Sequence, residues 1–236
     1  MWLFHQLSAA LTTRALRSLH VTSHDFALPN QGIIPRLAAR GLSIRGVVSV
    51  HWIWTSYTVL SGAHDILAIM FVSLLGWDGP EEWPPLFGSA VEAYSLRRFW
   101  SKFWHQLHSR TCEPLMPPFL RARSQRRRKK HDFLRNSLRA LWIFCLSAMF
   151  HALSNWVTFR KGYAALELRF FLCNFGVCLL ETVGERAMGG FMKPAHRKLT
   201  RPAGYAWVLF VFVCLVPGWK YPVMVEKALN ALERYM

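Results

Sequence analysis

Apolar residues in this chain gather into long blocks, and polar, mostly cationic stretches lie between the blocks. A helix needs roughly 20 mainly apolar residues to cross a hydrocarbon layer about 30 Å thick. Four blocks approach that length, at about 46–76, 138–157, 164–183 and 204–219. The first is long, and Ser61-Gly62-Ala63-His64-Asp65 is expected to interrupt it. The second and fourth are the cleanest, and the fourth is expected to end at Pro217-Gly218-Trp219. The third carries Glu167, Arg169 and Glu181, so part of its length must face protein or water. The expected fold class is all-α, a polytopic transmembrane helical bundle of about four spans.

The segments between the blocks refine this. Residues 78–95, DGPEEWPPLFGSAVEAYS, exclude a regular helix across Pro84-Pro85. Residues 1–45 read as a juxtamembrane segment, and 46–236 as the membrane domain. In the former, Trp2, Leu3, Leu7, Leu11 and Leu16 are spaced for one face of a surface helix. The start lacks the early basic region and long apolar run of a cleavable signal.

Composition then separates this pattern from that of a soluble basic protein. The chain is 53% hydrophobic yet has a net charge of +16, from 29 Lys+Arg against 13 Asp+Glu. A nucleic-acid binder fits poorly, because long apolar blocks flank the cationic run 121–130; that run suits a cytosolic loop beside anionic headgroups of the lipid bilayer. Thirteen Lys/Arg between Arg97 and Arg139 put that basic loop, 97–139, in the cytosol. Alternation then makes the 158–163 turn lumenal and returns the 184–203 loop, with five Lys/Arg, to the cytosol. The N-terminal 45 residues would be lumenal while carrying Arg14, Arg17, Arg36, Arg40 and Arg45, which conflicts with the rule. Four of the five cysteines lie in apolar blocks, and no Cys/His set has zinc spacing; no metal site is expected, at His51, His64 and Asp65 included.

Two stretches carry candidate chemistry. Wound as a helix, LRRFWSKFWHQLHSR (residues 96–110) puts Leu96, Phe99, Trp100, Phe103, Trp104 and Leu107 on one face. Arg97, Arg98, Ser101, Lys102, His105 and His108 take the other. That is the pattern of an interfacial amphipathic helix, with aromatics at headgroup depth and cations towards water. On this pattern His105 has an equal claim to be merely solvated. In the second block, Ser147, His151, Ser154 and Asn155 form a narrow polar stripe in an otherwise apolar helix. Facing lipid is costly for such a stripe, so it is expected to face the bundle interior. His151 is then either a hydrogen-bonded packing histidine or a general base. A neutral imidazole accepts a proton near pH 7, here from a hydroxyl attacking an acyl carbonyl. Asn155, one turn on, would donate to the resulting oxyanion or orient the imidazole. The basic loop would suit the phosphates of coenzyme A.

Five stretches, in order, resemble the wax-synthase-like branch of the membrane-bound O-acyltransferases, in particular fungal enzymes that acetylate terpenoid and meroterpenoid alcohols. They are WPPLFG at Trp83–Gly88, EAYSLRRFW at Glu92–Trp100, FWHQL at Phe103–Leu107, SAMFHAL at Ser147–Leu153 and GYAWVLFVFVCLVPGWKYP at Gly204–Pro222. The resemblance implies acetyl-CoA (or another acyl-CoA) as co-substrate, with no bound cofactor, and transfer to a hydroxyl of a hydrophobic alcohol. It places the protein in a multi-pass membrane setting such as the endoplasmic reticulum. It implies that His151 matches the family's intramembrane catalytic histidine and that His105 falls in its tryptophan-rich signature. Arg97, Arg98, Lys102 and Trp104 become candidates for holding the acyl carrier. Family members usually have more spans, so a truncated chain, an inactive or scaffold-type homologue and a chain working as an oligomer are alternatives, as is a long-chain, wax-ester-type activity.

Overall fold

The computed structural model describes residues 2–33, 38–105, 107, 114–121, 132–160, 162–188 and 201–233. Among these are six α-helices and no strand. They are α1 Trp2–Ser18, α2 Ala39–Ala68, α3 Leu96–Arg98, α4 Asp132–Phe159, α5 Ala164–Met188 and α6 Arg201–Glu233. Two π-helical turns extend helices: Ile69–Leu74 continues α2 and Phe99–Phe103 continues α3. The protein is an all-α helical bundle.

Among the described residues, three helices are long and apolar enough to cross a membrane: Ala39–Leu74, Phe133–Thr158 and Arg201–Glu226. The last is the most enclosed of the three. The fourth expected span, α5, is 25 residues long. Its buried polar groups are matched by protein: Glu167 by Asn155, and Asn174 by Trp100. α4 and α5 form a helical hairpin whose turn passes through Arg160, at a φ of 55°. α6 packs against both α2 and α5. The core runs along it, from Val208 through Phe212 and Val216 to Trp219 and Tyr221.

Several sequence expectations need correcting. Ser61-Gly62-Ala63-His64-Asp65 does not interrupt the first block; α2 runs through it, beginning at Ala39. The expected domain boundary at 45/46 therefore falls inside this helix. The fourth block does not end at Pro217-Gly218-Trp219; α6 continues through Pro217 and Pro222 to Glu233. A proline inside a helix orphans the carbonyl four residues earlier, and in a membrane such a group must be satisfied from within the protein. Both orphans are met by arginines. Arg45 Nη1 donates to the Val213 carbonyl at 3.4 Å, four residues before Pro217. Arg169 Nη2 donates to the Gly218 carbonyl, four residues before Pro222.

The same interactions ease the N-terminal charge conflict. Arg45 is buried and also donates to the carbonyls of Asn30 and Gly32. Arg40 pairs with Asp25 and donates to the carbonyls of Leu19 and His20. Two of the five cations therefore hold the chain's own backbone, while Arg14 and Arg17 stay exposed. The segment before α2 docks on the bundle. Thr12 Oγ1 meets His51 Nδ1 at 3.1 Å, and Phe26 sits edge-on to Tyr221 at 4.9 Å. The expected apolar face of α1 is only partly used: Leu16 packs on the core, while Leu7 and Leu11 stay exposed. Arg36, His108, most of the basic run 121–130 and the greater part of the 184–203 loop lie outside the described residues.

Candidate active site

Of the stretch 96–110, the described residues 96–105 and 107 do not form the straight amphipathic surface helix that its periodicity suggests. The helix here has two features of its own: it starts on a side-chain clamp and ends on a π turn. Ser95 Oγ caps the start, accepting from the Arg98 amide at 3.3 Å. The carboxylate of Glu181, from α5, accepts the amides of Leu96 and Arg97, each at 2.9 Å. At the other end the Trp104 amide donates to the Phe99 carbonyl at 2.7 Å, a five-residue step that widens the turn. Trp104 is then extended, at ψ 152°. The Gly88 amide donates to the Phe103 carbonyl at 2.9 Å. A Cβ on Gly88 would stand 1.9 Å from the Lys102 carbonyl oxygen, so only glycine allows this approach.

These restraints turn the aromatics inward. Leu96, Phe99 and Trp104 are buried in the core and not on an outer face. Phe99 packs on Phe212 at 4.8 Å between ring centres, and Trp104 on Trp52 at 5.3 Å. Trp100 donates its indole N–H to Asn174 Oδ1 at 3.1 Å, and Asn174 is anchored by its own bond to the Phe170 carbonyl. Beside this packing, Arg97, Trp100, Ser101, Trp104 and His105 face a cavity, while Lys102 stays exposed.

That cavity has a volume of about 450 Å³. Arg97, Ser101, Trp104 and His105 line it from the α3 side, and Ser147 and His151 from α4. Trp52, Phe171 and Trp219 supply aromatic wall. His151 lies against Phe171, 5.1 Å between ring centres, and stands edge-on to Trp219 at 6.4 Å. His105 stands edge-on to Phe87 at 5.7 Å. Arg186 also contributes to the lining, with its guanidinium 4.2 Å from the Phe133 ring. The two histidines, 46 positions apart in sequence, thus share one largely aromatic chamber.

The other expected residues go elsewhere. Asn155 does not line the chamber; its amide donates to Glu167 Oε1 at 2.7 Å, joining α4 to α5. Ser154 is exposed, so the polar stripe divides into a chamber pair, Ser147 and His151, and a helix-joining Asn155. Arg98 turns away to Glu92 and to the Tyr94 ring, 4.6 Å off. Lys102 is exposed and outside the lining. Arg97 is in the lining, with Nη2 held by Glu185 at 2.5 Å. Among the described residues no cluster of three or more His, Cys, Asp or Glu is arranged to hold a metal.

By charge and position alone, Glu181, Glu185 and Arg186 read as a charged membrane boundary at the end of the third block. In the structure Glu181 organises α3, Glu185 holds Arg97 and Arg186 enters the chamber lining. The signal available was their spacing: 181 and 185 are one helical turn apart, on one face of α5. What they meet is tertiary and has no local signature.

Residues 83–173 match the model of the Membrane bound O-acyl transferase family. This segment runs from the loop before α3 to the middle of α5 and contains both chamber histidines. Over this segment the chain is similar to the membrane-bound O-acyl transferases. Its similar relatives include acetyltransferase eriL of Hericium erinaceus, 28% identical over 70% of this chain and 44% of the relative. Acetyltransferase TRI7 of Fusarium sporotrichioides is 29% identical over 77% of this chain and 42% of the relative. Acetyltransferase ataH of Aspergillus terreus is 31% identical over 68% and 52% respectively. The chain's match spans about half the length of these relatives. No solved structure matches it. The stretches that carry the resemblance stand where they brace the chamber. Gly88 of WPPLFG braces the end of α3. In the GYAW stretch, a Cβ on Gly204 would stand 2.1 Å from the Tyr94 carbonyl oxygen, and the Trp207 indole N–H donates to Glu181 Oε1 at 2.8 Å.

Proposed function

We propose that the protein transfers an acetyl group from acetyl-CoA to a hydroxyl of a hydrophobic secondary metabolite, of terpenoid or meroterpenoid class, in a biosynthetic pathway. The observation that carries this reading is that His151 faces, from within a membrane-spanning helix, an aromatic-walled chamber that His105 also lines. Such a wall favours an apolar acceptor arriving from the bilayer. The cationic side, with Arg97 and Arg186 in the lining and Lys102 exposed nearby in sequence, favours a donor bearing phosphates.

In this reading His151 takes the proton from the acceptor hydroxyl as its oxygen attacks the thioester carbonyl. The tetrahedral intermediate collapses with cleavage of the C–S bond. The departing thiolate recovers the proton from the imidazolium, leaving the acetyl ester and free coenzyme A. Ser147, one turn before His151, supplies a hydroxyl within the same lining, and His105 and Trp104 form the edge against which the acyl carrier is placed. The multi-pass pattern and a lipophilic acceptor suit an endoplasmic reticulum location.

The test uses membranes carrying the full chain, labelled acetyl-CoA and a panel of hydrophobic alcohols. Transfer by the wild type, reduced at least a hundredfold in His151→Ala at equal membrane abundance, supports the reading. Equal transfer by both, or none by either, sinks it and favours a scaffold role.

A further inference from the structure

Eight residues, Leu96 to Phe103, carry one side of the chamber, and they are too few to hold a helix without outside help. Three of the groups that fix their start converge on one carboxylate. Glu181 Oε1 accepts from the Leu96 amide at 2.9 Å and from the Trp207 indole at 2.8 Å, while Oε2 accepts from the Arg97 amide at 2.9 Å. The first two amides of a helix have no partner inside it, and a carboxylate there is favoured both by hydrogen bonding and by the helix dipole. One turn further along α5, Glu185 holds the Arg97 guanidinium. Glu181 does not itself line the chamber, whereas its neighbours Cys178, Leu179 and Thr182 do.

We infer that Glu181 is a positioning residue for acyl transfer: it ties α5 and α6 to the first turn of α3 and thereby sets where Arg97, Trp104 and His105 stand in the chamber. The inference rests on the acyltransferase reading for its kinetic consequence, but its geometric content stands apart from that reading. Leu96 is fully buried, so if its amide loses Glu181 no water replaces the bond without opening the core. Glutamine at this position keeps one acceptor oxygen and points an NH2 at the second backbone donor. Aspartate keeps the charge but is shorter by one methylene.

The experiment compares wild type, Glu181→Gln and Glu181→Asp in detergent micelles and in membranes. Amide hydrogen exchange over residues 96–104 is expected to rise at least tenfold in Glu181→Gln, with exchange over residues 48–60 unchanged. In the transfer assay kcat is expected to fall at least tenfold, while KM for acetyl-CoA moves less than kcat; Glu181→Asp should recover part of both. A general loss of packing would raise exchange in both segments together. Wild-type exchange over 96–104 in Glu181→Gln, or a kcat unchanged alongside faster exchange, overturns the inference. If the wild type itself transfers nothing, the acyltransferase reading fails, and the exchange of 96–104 alone then decides whether Glu181 is the clamp.

Discussion

His105 and Trp104 are placed by Gly88, a residue with no side chain. The Gly88 amide bonds to the Phe103 carbonyl and closes α3 at that point, which turns His105 towards the chamber instead of around the helix. Gly88→Ala puts a methyl group into backbone that has no flexible end to move, at 1.9 Å from the Lys102 oxygen. Overpacking of this kind costs about 1–3 kcal/mol, and we expect thermal stability in detergent to fall and acetyl transfer to drop at least tenfold. Gly62→Ala is the matched comparison: nothing lies within 4 Å of its Cβ, and the position is inside α2. Removing a glycine from a helix interior gains about 0.5–1 kcal/mol, so Gly62→Ala should leave melting unchanged or raise it. If the two alanine variants melted alike, the close approach at Gly88 would not be what closes α3. At this scale the sequence was half legible. His151 stood out because an ionisable group in an apolar block has few places to go. Asn155 was not legible in the same way, because a donor one turn from a histidine looks the same in sequence whether it serves that histidine or a glutamate on the next helix.

At the scale of elements, the blocks were legible and their ends were not. Hydropathy finds α2, α4 and α6 because each has a long apolar stretch. Pro217-Gly218 reads as a stop in any local rule, and the arginines that let α6 pass it come from positions 45 and 169, far away in sequence. A double-mutant cycle tests that compensation. Arg169→Met leaves the Gly218 carbonyl without its donor and should cost about 1–3 kcal/mol. In a Pro222→Ala background the new amide at 222 supplies the usual helical donor, so the same Arg169→Met change should cost less than half as much. Additive losses would show that Arg169 acts at some other place. The docking of the N-terminal segment carries a different signature, pH. Arg40 beside Asp25 holds the Asp25 carboxyl down at about 2 from an ordinary 3.8, with the Thr22 amide assisting. A depressed carboxyl contributes stability that is complete above the ordinary value and is lost as pH falls through the folded one. Exchange protection of residues 19–30 should therefore be flat from pH 7 to about 4 and fall between about 4 and 2. Asp25→Asn should start less protected and show no such step. A step of the same size in Asp25→Asn would assign it to another group.

For the whole molecule, the question is whether α5 crosses the bilayer with the other three long helices. Composition argues against it, since α5 carries Glu167, Arg169, Glu181, Glu185 and Arg186. Its surroundings argue for it. Glu167 is bonded to Asn155, Asn174 to Trp100, Glu181 to the first turn of α3 and the half-exposed Glu185 to Arg97, so each of these groups has a partner within the protein. Arg169 spends its charge on the Gly218 carbonyl, and Arg186 stands over Phe133. Leu168, Leu172, Leu180 and Val183 are exposed on α5, and Met149, Leu153, Trp156 and Val157 on α4, alongside the exposed Ser154, Arg169, Glu185 and Arg186. Exposed apolar faces of this extent need lipid or another apolar surface. A crossing α5 puts the turn at 160–163 on one side of the membrane, with the basic segment before α4 and the segment between α5 and α6 on the other. Glycosylation acceptor sequences inserted in turn after residues 162, 125 and 195 read this directly in microsomes, provided each is flanked by a linker that clears the bilayer. Modification at 162 alone is the expected outcome. Modification at 125 and 195 but not 162 would reverse the orientation and keep the crossing. Agreement between 162 and 195 would mean that α5 does not cross, and the chamber would then open to water along its α5 side.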